Sequence, residues 1–278
     1  MKNASIVSLV DKLPPLPESI QKIEKLFAIT HYPKIAELVK IIEEDPALTA
    51  NILSYTNSPY FGFSKNIQSI YQAVVLFGPI QIRKMALRSA LLSTFDIDMS
   101  AYGITNDKFA QISSMQSELI FQWYMGIDIE KSKILIPIAF LMEAGAIVIS
   151  KYILENYLKE DFLYDIQNSS IKVAEVNHTL TTTLQINYIL FEDWKLNEVF
   201  SKTMHLLNDD SYQADDFIKE LSFPLKVVRE TINLKEQLSD ESIKKGSDLL
   251  RQASYKTSNF ELACQRIRKK FQLDTPND

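Results

Sequence analysis

The sequence predicts an all-α protein, a compact multi-helix domain with additional C-terminal helices. Three observations carry that expectation. Only six glycines occur in 278 residues, too few for the turns of a many-stranded sheet. Apolar residues recur at helical spacing along most of the chain. Helix starts and stops are dense, above all in the first 95 residues.

Each element follows in order. After LPPLPESI, a stiff lead-in, Ile20, Ile23, Leu26 and Phe27 have helical spacing. Pro33 opens a second helix through Ile35, Leu38, Val39 and Ile42. Asp45-Pro46 is a restart signal, with Asp as N-cap and Pro at the first helical position. That helix carries Leu48, Ile52 and Leu53 and stops near Asn57-Ser58-Pro59. Ser69 and Gln72 form a capping box. Gly78 ends that helix, and Pro79 opens the next, which runs to about Phe95. From Lys108 on the helices lengthen. Residues 108–125 form one, and residues 131–157, apolar nearly all round, read as one central buried helix. Helices over 171–191 and 195–207 follow, and Asn208-Asp209-Asp210-Ser211 breaks the pattern. Three amphipathic segments start near Asp215, Ser239 and Ser258.

Apolar residues at 46% and charged residues at 23% match an ordinary globular protein. A net charge of −5 argues against general affinity for the nucleic-acid backbone. Cys264 is the single cysteine, which excludes an intramolecular disulfide and any cysteine-based zinc module. The N-terminus lacks the apolar core and cleavage site of a secretory signal. The longest apolar run, Ile134 to Ile149, is interrupted by Pro137 and Glu143 and is short for a membrane span. The expectation is a soluble cytoplasmic protein with no membrane span.

LPPLPESI, ELVKIIEEDPALTANILSYTNSPYFG and NIQSIYQAVVLFGPIQIRKMAL together closely resemble the HDOD domain, an HD-related output domain of bacterial signalling proteins. The matching positions are Asp45, Pro46, Leu48, Asn57, Ser58, Tyr60, Phe61, Gly62, Ser69, Ile70, Ala73, Phe77 and Gly78. The resemblance extends through Trp194-Lys195-Leu196 to about residue 208. It implies an HD-like domain over 8–208 and a C-terminal helical extension over 209–278, packed on it or beside it. Most matched positions also have plain structural jobs as helix starts and stops. Tyr60, Phe61 and Phe63 could form an interaction surface, although aromatics at a turn between packed helices usually form a buried corner.

The resemblance also gives a chemical test. HD-type phosphohydrolases bind divalent metals through an early His, a His-Asp pair and a later Asp, and the metals activate water. This chain has only His31, His178 and His205, and no His-Asp dipeptide. AFLMEAG, residues 139–145, aligns with the family's His-Asp stretch, so Met142 stands at the His position and Glu143 at the Asp position. A thioether is a poor ligand for a hard cation. Ser113 and Ser114 lie near the place of the early His, Thr182 and Thr183 at a downstream pair, and His205 close to a final one. These seven residues, Ser113, Ser114, Met142, Glu143, Thr182, Thr183 and His205, are candidates for the lining of a vestigial cleft. Glu143, alone in an apolar helix, needs a polar partner or a wet cleft; the serine and threonine hydroxyls are its expected neighbours.

No catalytic residue, metal ligand or cofactor is assigned. Phosphate-binding glycine loops and a GxSxG elbow are absent from the sequence. His31 reads as loop surface, His178 as a helix-entry residue, and Cys264 has no histidine near it in sequence. The basic cluster 265–270 reads as a solvated face. The resemblance implies a non-catalytic signalling module acting in trans on a regulatory protein partner or a nucleotide-like ligand. The competing expectation is a divergent phosphohydrolase, which would need Glu143, His178 or His205, and an acid among Glu175, Glu192 and Asp193 to converge. A third is a ligand pocket without catalysis.

Overall fold

The structure is a computed structural model that describes residues 6, 9, 10, 13–30, 32–61 and 66–273, without the side chain of Tyr60. The positions expected at His31, Gly62 and Phe63, and the Tyr60 ring, lie outside the described residues. The fold is helical throughout, and no strand occurs among the described residues. It divides into two compact units. One takes residues 13–96 and 191–198; the other takes 97–190 and the described residues from 199 on.

The first unit contains α1 (Glu18–Ile29), α2 (Ile35–Glu43), α3 (Pro46–Thr56), α4 (Ile70–Phe77) and α5 (Pro79–Thr94). Asp45 caps α3 by accepting from Leu48 N at 3.0 Å, and Ser19 Oγ donates to its other oxygen at 2.6 Å. Ser69 caps α4 by accepting from Gln72 N, while the Gln72 carbonyl reaches back to Gln68 N. Gly78, at φ +78°, sits between α4 and α5, where a side chain on the α-carbon would be strained. Asn57 holds both backbone groups of Ile67: its Oδ1 accepts from Ile67 N at 2.7 Å and its Nδ2 donates to Ile67 O at 2.9 Å. One side chain thereby closes the loop between α3 and α4. The core is built from Ile20, Ile23, Leu38, Ile42, Ile52, Ile70, Val74 and Ile82, and it includes a buried bidentate pair, Arg83 with Glu24.

The larger unit holds α6 (Asn106–Tyr124), α7 (Ile129–Leu141), α8 (Gly145–Glu155), α9 (Lys159–Asn168) and α10 (Ile171–Thr179). To these it adds α11 (Thr183–Asp193) as far as Leu190 and α12 (Glu198–Asn208) from Val199 on, and then the C-terminal helices. These are α13 (Asp216–Thr231), α14 (Asp240–Gln252) and α15 (Ser258–Lys270). Helix α13 packs on α6, α7 and α14, and α15 packs on α6, so the segment after residue 208 shares a core with residues 97–190. Asp215 and Ser239 cap α13 and α14 where the sequence places those starts.

Two helices read as continuous are divided. The 131–157 run is α7 and α8 with a turn at Met142–Ala144, because Asn187 captures the backbone there. Its Nδ2 donates to Met142 O and its Oδ1 accepts from Gly145 N, both at 2.6 Å. The 171–191 run is α10 and α11, divided at Leu180, which adopts a left-handed φ of +59°. By length and composition the stretch Ile129–Glu155 could cross a membrane, beyond what the shorter apolar run suggests; 94% of its most apolar window is nonetheless buried inside the protein.

Close packing of α14 depends on Gly246, where an added Cβ would lie 2.4 Å from Thr231 Oγ1 and 2.8 Å from Phe260 Cζ. Gly246→Ala should cost about 1–3 kcal/mol of stability, read as a lower urea midpoint at unchanged slope.

Candidate functional site

The site forms around Glu143, in the turn between α7 and α8. Its side chain is completely buried, in a helical run that offers no polar neighbour of its own. Such a carboxylate is costly unless hydrogen-bonded and paired. Both needs are met from other helices. Arg229, on α13, donates Nε to Glu143 Oε1 at 2.9 Å and Nη2 to Oε2 at 3.2 Å, a bidentate fork. Gln116, on α6, donates Nε2 to Glu143 Oε1 at 3.1 Å and to Ile232 O at 2.9 Å. Burial would lower the pKa of Arg229, but the Glu143 carboxylate outweighs it and holds the guanidinium above its usual value.

A second acid, Glu175 on α10, lies in the same cluster and is also buried. It accepts from Thr183 N at 2.8 Å, Thr183 Oγ1 at 2.6 Å and Tyr102 Oη at 2.8 Å. The first of these bonds satisfies the leading N–H of α11. Burial raises its pKa, opposed by the Arg229 charge and by the Thr183 and Tyr102 donors. Burial together with the Glu175 charge raises the Tyr102 phenol well above its ordinary value, so it remains a donor. Gly145 lets this assembly close, since a Cβ there would lie 2.4 Å from Thr183 O.

The other expected cleft residues fall as follows. Met142 is buried, and its carbonyl is held by Asn187. Ser113 is buried on α6, and Ser114 Oγ donates to Ala110 O. Thr182 caps the start of α11 and donates to Asn208 Oδ1 at 2.5 Å. Among the described residues no hydrogen bond joins Glu143 to Ser113, Ser114, Thr182 or Thr183; its partners are Gln116 and Arg229. His205 lies between Tyr188 and Tyr212, stacked on the latter at 4.1 Å. His178 pairs with Asp165 at 3.0 Å. Glu192 and Asp193 are exposed. Phe61 packs edge-on against Tyr55 and Phe77. Burial pushes the Cys264 thiol up to about 12, so it stays protonated.

Arg229, Gln116, Tyr102 and Asn187 escape a linear reading, because each matters through partners 27 to 116 residues away. The one available signal was Glu143 itself, which requires a cation or donors from elsewhere in the fold.

A metal centre does not fit this donor set. Among the described residues no three His, Cys, Asp or Glu side chains converge on one point. Glu143 spends both oxygens on the Arg229 guanidinium, and the Gln116 carboxamide donates to one of them.

Comparison with known proteins agrees with this architecture. The family model for the HDOD domain matches residues 13–209, so the chain belongs to the HDOD family. Similar solved structures include three bacterial proteins. A candidate signal transduction protein from Marinobacter aquaeolei VT8 has a TM-score of 0.69 at 17% identity, covering 94% of this chain and 57% of its own. An HDOD domain protein from Geobacter sulfurreducens has 0.65 at 15%, covering 97% of both chains. A candidate phosphohydrolase from Shewanella amazonensis SB2B has 0.63 at 17%, covering 96% and 94%. At these identities the likeness is one of fold. No curated protein matches the sequence.

Replacing Arg229 by Met should leave the buried Glu143 charge on Gln116 alone and cost about 3 kcal/mol in chemical denaturation. Glu143→Leu in the same chain should recover most of that loss, because no uncompensated charge then remains.

Proposed function

We propose that this chain is a non-catalytic regulatory module of signal transduction that acts in trans by docking a partner protein. The observation that carries the reading is the Glu143–Arg229 fork. At the position where an HD phosphohydrolase presents its His-Asp metal ligands, this chain presents a carboxylate already neutralised by its own guanidinium. An internal cation can hold the helices together without activating water. The name of the Marinobacter relative agrees with a signalling role.

Protein docking is further supported by α4, which exposes Tyr71, Val75 and Leu76, each by more than half of its surface. Large exposed apolar side chains on one short helix suit a protein interface. A net charge of −5 makes nucleic acid an unsuitable partner. A cytoplasmic setting goes with this reading, since a chain with one cysteine has no internal disulfide to maintain.

The name of the Shewanella relative favours a second reading, a divergent metal-dependent phosphohydrolase. Metal analysis of protein purified without added metal, with a hydrolysis screen over nucleotides and cyclic dinucleotides, separates the two. The regulatory reading expects metal well below one equivalent and the same background turnover in wild type and Glu143→Ala. Stoichiometric Fe, Mn or Zn, or turnover abolished by Glu143→Ala, would establish the phosphohydrolase instead.

A further inference from the structure

A polar groove in the first unit has a different chemistry. It lies along α3 and α5 and has a volume of about 400 Å³, lined by Asn51, Ser54, Tyr55 and Ser58 from one side and Met85, Arg88, Ser89, Leu92 and Ser93 from the other. That volume falls in the range of about 300–1,000 Å³ common for small-molecule sites. Positions 51, 54 and 55 share one face of α3, with Ser58 just past its end, and 85, 88, 89, 92 and 93 share one face of α5. Facing helices ordinarily fill such a seam with interlocking apolar side chains. Here the seam holds hydroxyls, an amide and a guanidinium.

Asn51 and Ser89 bond to each other and Ser93 Oγ donates to Ala90 O, but other polar groups of the lining stay uncommitted. The Arg88 guanidinium rests 4.9 Å from the centre of the Tyr55 ring, and among the described residues it has no carboxylate partner and makes no hydrogen bond. Arg83, on the same helix, is by contrast locked to Glu24 through two bonds. Ser58 Oγ is shielded from solvent and has no hydrogen-bond partner among the described residues. Ser89 Oγ accepts from Asn51 Nδ2 at 2.8 Å, which leaves its own proton to donate. Among the described residues the lining contains no Asp or Glu. Unused donors around one cation, without a competing acid, are the requirements of an oxyanion. Met85 and Leu92 supply apolar surface for the body of such a molecule.

We infer that this groove binds a small organic phosphate of about nucleoside-monophosphate size, its phosphate on Arg88 and the Ser58 and Ser89 hydroxyls. Phosphate is preferred over carboxylate because three terminal oxygens can accept from the guanidinium and two hydroxyls at once. The Tyr55 ring fixes the guanidinium through a cation–π contact, so the cation is in place before a ligand arrives. Nothing in this site uses Glu143 or Arg229, so the groove stands or falls independently of the regulatory reading.

Calorimetric titration of the full chain tests the assignment, with inorganic phosphate, adenosine 5′-monophosphate, adenosine and benzoate as probes. The monophosphate should bind at least about tenfold more tightly than adenosine or benzoate. Arg88→Gln should weaken it by about tenfold or more, and Arg88→Lys by less. Ser54→Trp, at an exposed position, should block the groove in a chain whose melting curve is unchanged, which keeps the test decisive if Arg88→Gln fails to fold. The site is refuted if neither phosphate nor the monophosphate binds at millimolar concentration, or if Arg88→Gln and Ser54→Trp both bind as wild type. Equal binding of adenosine would refute the phosphate's role, and equal binding of benzoate would replace phosphate by carboxylate.

Discussion

A fully buried carboxylate needs donors or a counter-charge within hydrogen-bond reach, and in this protein that requirement organises the larger unit. Glu143 sits in the most apolar part of the chain, where water is excluded and the local dielectric is low. Its charge is tolerated because Arg229 arrives in a planar fork and Gln116 adds a third donor. The carboxylate comes from the turn between α7 and α8, the guanidinium from α13 and the carboxamide from α6. One charge thus links the matched domain to the helices that follow it.

Around that pair the other polar groups are arranged to leave few donors idle. Glu175 receives the backbone and hydroxyl of Thr183 and the phenol of Tyr102, and it feels the same Arg229 charge. Asn187 takes up the backbone groups freed where α7 gives way to α8. Low dielectric strengthens each of these bonds and penalises each omission, so such a network specifies one arrangement of its helices. A site organised in this way resists opening to a substrate, and this supports the regulatory reading. The groove along α3 and α5 has the opposite character, with a cation and hydroxyls left uncommitted.

Local signals were legible wherever their physics is local. An N-cap is a contact over three residues, so Asp45, Ser69, Asp215 and Ser239 could be read directly. The break inside the 131–157 run could not, because its cause is Asn187, 42 and 45 residues downstream. The break at Leu180 has a shorter reach, since Glu175 bonds Thr183 N eight residues on, yet it falls between helical spacing and any capping pattern. Helix periodicity reports which face is apolar, and it is silent about a polar side chain arriving from another element.

The sequence by itself determined an all-helical fold of HDOD type, the absence of any His-Asp dipeptide, and the isolation of one acid among apolar residues. These follow from composition, short-range spacing and motif. Only the tertiary structure decided what that acid does: it is a counter-ion for Arg229, 86 residues away. The reason is that the cost of burying a charge is local, whereas the group that offsets it can come from any helix the fold brings within reach.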